Sequence, residues 1–145
     1  MIAVMHDLDR VNSLMKDDRV WPHVSCDRCD KETYSAPEDG IYLGAYDDEV
    51  NAGFFLVQPV NSVTLEIHTV IDPLFWGRSI EFAKQVILWI FENTETLKII
   101  TLVPENNKKA ARLAERSGML LEGVVTKSYL KDGVLLDQFL YGIGK

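Results

Sequence analysis

A mixed α/β sheet, antiparallel except for one parallel pair and carrying helices on its faces, is the fold class that this 145-residue sequence predicts. Three observations lead there. Val63 to Ile71 alternates aliphatic or β-branched residues with polar ones, the period of two of a half-buried strand. Ile80 to Phe91 places apolar residues at 80, 83, 87, 90 and 91, the spacing of a helix face. Leu97 to Val103 is a second β-branched run. Strand, helix and strand in that order make a crossover between parallel neighbours, whereas the strand-like runs before and after are joined by hairpin turns.

In chain order, His6 to Asp17 carries Leu8, Val11, Leu14 and Met15 at helical spacing with Asp7 and Asp9 near its start, so an amphipathic helix packed on the sheet is expected. Trp21 to Gly40 breaks the pattern with Pro22, Pro37, Asp39 and Gly40 and reads as a loop with one helical turn, suited to form a wall of an acceptor pocket. Ile41 to Tyr46 and Gly53 to Val57 read as a hairpin with a polar connection from Asp47 to Ala52. Gln58-Pro59-Val60-Asn61 then turns into the Val63 strand, giving three consecutive antiparallel strands.

Asp72-Pro73 ends that strand, because proline has no N–H for a ladder, and Trp76-Gly77-Arg78-Ser79 turns the chain into the helix. After Val103, Pro104 to Asn106 closes the next strand and Asn107 is placed to cap a helix from Lys108 to Ser117, with Gly118 as its C′ residue. Met119 to Leu130 and Val134 to Ile143 form a closing hairpin around Lys131-Asp132-Gly133. No repeat, low-complexity tract or linker divides the chain, so residues 1–145 are expected to form one domain.

Composition narrows the function. The sequence is 47% apolar and 26% charged, and its 15 basic against 22 acidic residues give a formal charge of −7. That balance argues against nucleic acid or an anionic membrane as the main partner and favours a basic or neutral substrate. With no long apolar run and no basic-then-apolar N-terminus, a cytoplasmic location is expected. Cys26 and Cys29, with His23 upstream, supply half of a tetrahedral zinc site at most, so they read as loop cysteines of a reducing compartment and no metal is expected.

The chemistry concentrates at the junction from Val63 to Asn93. A strand that ends in a small-residue turn and a helix start directs unpaired N–H groups and the helix dipole toward an anion. Here the sequence resembles the Gcn5-related N-acetyltransferases from about Ile41 to the C-terminus. Ile71-Asp72-Pro73 is similar to that family's strand corner, Leu74 to Ser79 occupies its pyrophosphate loop, and VPENNKKAARLAERSGMLLEG resembles its Asn-containing strand end and following helix. The ending KDGVLLDQFLYGI is similar to the last hairpin of members that acetylate protein N-terminal amines and aminoglycoside-type substrates.

The resemblance implies an acetyltransferase-like fold that binds acetyl-CoA and delivers its acetyl group by direct attack of a small-molecule or peptide amine. Backbone N–H groups from Gly77 to Ile80 would hold the pyrophosphate, with Trp76 in the loop, Arg78 pairing with a phosphate, Ser79 adding a hydroxyl and Asn107 at the second helix. The pantetheine arm would lie between Thr69–Ile71 and Thr101–Val103, with an N–H near Val70 polarising the thioester carbonyl. Glu66 and His68, two apart and therefore on one strand face, are the candidate bases. Leu74 and Ala114 depart from the family pattern, Ala114 standing where many members carry a tyrosine that protonates the thiolate; Tyr129 and Tyr141 are the phenols near the end of the chain. The sequence also resembles small acidic acetyltransferase-like proteins of tailed bacteriophages, which implies an alternative: a catalytically weak or inactive binding module, a head-assembly or virion component. The long C-terminal strands offer a surface for a homodimer.

Overall fold

A computed structural model describes residues 1–145. Its elements are β1 (Ile2–Met5), α1 (Leu8–Met15), α2 (Trp21–Val24), β2 (Ile41–Asp47), β3 (Val50–Pro59), β4 (Thr64–Ile71), a 3-10 turn (Pro73–Arg78), α3 (Ser79–Asn93), β5 (Lys98–Pro104), α4 (Lys108–Arg116), β6 (Leu120–Lys131) and β7 (Val134–Gly144). The strands form one sheet in the order β1-β2-β3-β4-β5-β7-β6. All neighbours are antiparallel except β4 and β5, joined by the α3 crossover. The expected fold class holds.

Helices cover both faces because strand alternation splits the apolar residues between them. On one face, Phe55, Ile67, Ile71, Ile99 and Val103 pack against Phe82, Val86 and Ile90 of α3 and Ala114 of α4. On the other, Tyr42, Phe54 and Val70 meet Val11 and Leu14 of α1. Glu66 and His68 share the parity of Val70 and therefore lie on the α1 face.

Two expectations need correction. The antiparallel run has four strands: Ile2–Met5 pairs with β2, and the first helix begins at Leu8, where Asp7 accepts from the Arg10 N–H as its cap. The β2–β3 connection is also far tighter than a loop from Asp47 to Ala52. It turns at Asp48-Glu49, with Asp48 at φ 52°, and a bulge at Ala45/Tyr46 takes up the offset. Asn51 fills that bulge, its amide donating to Gly53 O at 3.0 Å while its carbonyl accepts from Arg10 Nε at 3.1 Å. A polar stretch thus sits in a strand because one side chain satisfies the backbone groups that the bulge leaves unpaired.

The capping signals are realised. Asn107 Oδ1 accepts from the Ala110 N–H at 3.1 Å, Gly118 follows α4 at φ 100°, and Asp132-Gly133 turns the last hairpin with both residues at positive φ.

What positions the site is the brevity of the parallel pairing. Residues Thr64–Glu66 pair with Lys98–Ile100, and there the pairing ends, although β4 stays on β3 as far as Ile71 and β5 stays on β7 as far as Pro104. Thr101 Oγ1 donates to Ile67 O at 3.0 Å, bridging the fork. Beyond it the two strands part and leave a groove through the sheet.

Candidate functional site

The groove is formed by two adjoining cavities of about 380 and about 500 Å³ that share His23, Thr69, Val70, Asn107 and Leu113. At one end, Ile71, Trp76, Ser79 and Ile80 face Lys109 and Arg112 of α4. At the other, Gln58, Glu66 and His68 lie with Tyr34 and Tyr129. The structure therefore brings together Glu66, His68, Thr69, Val70, Ile71, Trp76, Ser79, Ile80 and Asn107 from three separate parts of the chain.

Two predicted residues stand apart. Gly77 lines neither cavity, and a Cβ built on it would meet nothing within 4 Å. Arg78 turns the other way: its guanidinium bonds Glu81 at 2.9 and 3.0 Å, reaches Asp47 at 3.2 Å and lies over the Phe82 ring. Those carboxylates, Glu81 before Asp47, raise its pKa further and claim the fork that was assigned to a phosphate. Ser79 keeps its place, although its hydroxyl already donates to Trp76 O at 2.9 Å.

Ladder phase narrows which N–H near Val70 can face the groove. Asp72 N donates to Ala52 O at 2.8 Å and Val60 N to Thr64 O at 2.9 Å, so even-numbered residues of β4 turn their N–H and C=O groups to β3. The Val70 N–H is directed into that ladder opposite Phe54. Thr69 and Ile71 turn toward the groove, and Ile71 O accepts from Trp76 Nε1 at 2.9 Å.

Trp76 lines the first cavity. The Lys109 ammonium sits 5.1 Å from its ring centroid and the His23 ring meets it edge-on at 6.3 Å. No side chain caps α3, but the 3-10 turn runs straight into it and the Ser79 N–H already donates to Trp76 O, so what the cavity meets where Ser79 and Ile80 line it is the positive end of the helix dipole rather than a free Ser79 N–H. Lys109 and Arg112 escaped the sequence reading. Their signal was present: three apart and just past the Asn107 cap, they occupy one face of the helix.

At the far end, His68 Nε2 lies 2.8 Å from Glu66 Oε1 and 3.1 Å from Gln58 Oε1. Both partners are oxygen acceptors, so Nε2 is the nitrogen that donates and Nδ1 is the one these contacts leave unpartnered. Gln58 faces Glu66 across the β3–β4 ladder, which places all three side chains on one patch.

The two phenols differ. Tyr141 is buried at 3% exposure with its hydroxyl donating to Glu115 at 3.1 Å, a structural role. Tyr129 lines the second cavity, and burial, with Cys26 and Cys29 adding to it, pushes its pKa up to about 12. Cys26 and Cys29 are free thiols with sulfurs 3.0 Å apart, and no group of three or more His, Cys, Asp or Glu side chains in the chain is arranged to hold a metal. No helix is long and apolar enough to cross a membrane.

A sheet that opens between two parallel strands, with a helix start at the opening, is the architecture of an acetyltransferase fold, and solved structures agree. Spermidine N-acetyltransferase from Vibrio cholerae in complex with CoA and spermine superposes with a TM-score of 0.81 over 99% of this chain and 94% of its own, at 16% identity. An acetyltransferase of the GNAT family from Streptococcus pneumoniae gives 0.75 over 100% and 99%, at 17% identity. Another from Bacillus anthracis gives 0.74 over 99% and 94%, also at 17%. At such identities the likeness shows the fold. The chain itself belongs to the family described as "Protein of unknown function (DUF2824)", whose model matches residues 2–145. It is also 24% identical over 113 residues to protein p31 of Acyrthosiphon pisum secondary endosymbiont phage 1, covering 77% of this chain and 73% of that one.

Proposed function

We propose that this protein is an acetyl-CoA-dependent N-acetyltransferase that acts on a primary amine by direct attack. The observation that carries the reading is the groove through the β4–β5 fork, cationic at one end and holding Glu66 and His68 at the other. Its residues fit the cosubstrate. Lys109, Arg112 and the positive end of the α3 dipole would hold the phosphates, and Thr69, Ile71 and Thr101 would flank the pantetheine arm. Acetyl-CoA supplies the activated acetyl thioester.

The chain supplies the rest. The N–H groups of Thr69 and Ile71, turned toward the groove, are the donors for the carbonyl oxygen on which charge develops. His68 would accept the proton of the attacking amine at Nδ1, while Glu66 and Gln58 hold the other ring nitrogen and fix the tautomer; as the new C–N bond forms the thioester C–S bond breaks, and CoA leaves as its thiolate, which takes a proton from solvent at the open groove. Tyr129, with its pKa near 12, stays protonated and contributes a hydrogen bond only. A small-molecule or peptide amine suits an acceptor end that carries a carboxylate on an acidic protein in the cytoplasm.

Thermal unfolding with acetyl-CoA tests the reading first: a ligand at 100 times its dissociation constant stabilises the native state by about 2.7 kcal/mol, so absence of any shift at millimolar acetyl-CoA would overturn it. Turnover with polyamine and peptide acceptors follows. His68→Ala should lower it about 100-fold or more, and Glu66→Gln should lower it less while shifting its pH profile.

A second reading is favoured by the likeness to a phage protein. In it the same fold serves as a head-assembly or virion component with weak or no catalysis. Recovery of the chain in purified particles, together with no coenzyme binding, would decide for it.

A further inference from the structure

The loop after α2 carries a pair of thiols that the groove does not use. Cys26 and Cys29 are free, their sulfurs lie 3.0 Å apart, and the hydrogen-bond partner of each is the other. That separation is about 1 Å more than the ~2.05 Å of a disulfide bond, so the two ends already meet in the dithiol. Arg28 brings them there. Its φ of 70° lies in the left-handed region and folds the chain back within the two residues that separate the cysteines. A non-glycine residue stays in that region when its surroundings hold it.

The surroundings are the tip of the β6–β7 hairpin. Asp27 N donates to Leu130 O at 2.9 Å, and the Asp27 carboxylate accepts the N–H groups of Asp132 and Gly133 at 2.9 and 2.8 Å. Lys131 Nζ donates to Ser25 O at 2.8 Å. The residue inside the Cys26–Cys29 turn and the residue before it are thus fastened to the hairpin tip. Tyr129, two residues before Lys131, and His23, three before Cys26, both line the second cavity. The thiol pair sits where the loop and the hairpin brace that cavity's wall.

No third His, Cys, Asp or Glu stands beside the pair to build a metal site. What two adjoining thiols can do by themselves is undergo two-electron oxidation. We propose that Cys26 and Cys29 are a reversible redox pair, closed to an intrachain disulfide by exchange with a low-molecular-weight disulfide, and that closure tightens the hold of Asp27 on the hairpin tip. Cys29 is exposed and Cys26 half-buried, so Cys29 is the sulfur that a reagent reaches first. Its thiolate attacks one sulfur of the reagent, whose S–S bond breaks and releases one half as a thiolate. The Cys26 thiolate then attacks Cys29 Sγ, forming the intrachain bond and expelling the second half. The chain gives up two electrons and two protons, and the reagent is reduced to two thiols.

The inference holds whether or not the chain transfers acetyl groups. The intact chain is equilibrated at neutral pH with mixtures of reduced and oxidised glutathione, quenched with acid, labelled with iodoacetamide and weighed by mass spectrometry. Both cysteines should take label when reduced glutathione dominates, neither when oxidised glutathione does, and both again after a reductant is added. Cys26→Ser, which lacks the resolving thiol, should stop at a glutathione adduct on Cys29. In the unmodified chain, amide exchange at Asp132 and Gly133, the two N–H groups that Asp27 holds, should slow at least about threefold on oxidation. Both labels retained at the most oxidising mixture, disulfides formed between chains instead of within one, no adduct on Cys29 in the variant, or equal exchange at Asp132 and Gly133 in the two states would each overturn the inference.

Discussion

Asp72 ties the end of β4 to α1 and to the turn that leads into α3, so its removal should register in the stability of the fold. Its Oδ1 accepts the Leu74 N–H at 2.9 Å, capping the 3-10 turn, and its Oδ2 takes Arg10 Nη2 at 2.9 Å, tying α1 to the end of β4. The carboxylate side chain is 15% exposed and Arg10 27%, so the pair is only partly screened. Loss of a cap costs about 1 kcal/mol, and loss of a charged hydrogen bond at such exposure costs about 1 to 2 more. Asp72→Ala should therefore destabilise by about 2 to 3 kcal/mol, or roughly 5–10 °C in Tm for a chain of this size. Asp72→Asn, which keeps an acceptor for Leu74, should cost about half as much. Burial pushes the Asp72 carboxyl up, but Arg10 and the Leu74 N–H together outweigh it and hold it below the usual carboxylate range. A lowered folded pKa means that the stabilisation is complete above the unfolded value of about 4 and is lost as pH falls through the folded one. Urea melts at several pH values should show the Asp72→Asn gap at neutrality and its closure in acid. A cost under about 0.5 kcal/mol at pH 7, or a gap that persists unchanged into acid, would refute the assignment.

Four further substitutions probe the groove and the segments around it. Gly53→Ala places a Cβ 2.4 Å from Val70 O and 2.8 Å from Ile71 Cα at a φ of 153°, so it should destabilise by at least ~2 kcal/mol in equilibrium denaturation. Gly77→Ala meets open space at an ordinary φ and should stabilise by about 0.5 kcal/mol with acetyl-CoA binding unchanged; a tenfold loss of affinity in calorimetry would return Gly77 to the site. Lys109→Ala and Arg112→Ala should each weaken acetyl-CoA binding about 5- to 20-fold, and acetyl-pantetheine, which lacks the phosphates, should not distinguish either variant from the parent.

Much of the fold was legible because it is written in long local patterns. β4 and α3 announce themselves through periods of two and 3.6 over eight and fifteen residues, and the α4 caps are single side chains next to the turns they serve. β1 is four residues long, too short for a period to register, and its partner β2 lies some forty positions away. The stretch after Tyr46 misled for a different reason. Its polar residues read as a loop, and only the Asn51 hydrogen bonds across the bulge show why a strand tolerates them.

The site divides along the same line. Side-chain alternation was enough to put Glu66 and His68 on one face, and the structure adds that they touch. It was not enough to choose the backbone donor. Alternation tells which side chains share a face, but which N–H groups turn toward β3 and which toward the fork depends on the ladder phase with a strand whose register a bulge has shifted. Arg78 shows the other limit. A guanidinium beside a helix start reads as a phosphate partner until tertiary structure brings Asp47 to it from a hairpin thirty-one residues upstream, with Glu81 one turn ahead. Once those carboxylates hold Arg78 and Gly77 faces solvent, the loop keeps its helix dipole but loses its charged side chain. The positive charge at that end of the groove comes from across it, where Lys109 and Arg112 project from α4 beside Trp76. The cationic end of the groove is thus a joint product of the α3 start and the α4 face, which is why the loop motif alone was such a partial guide to it.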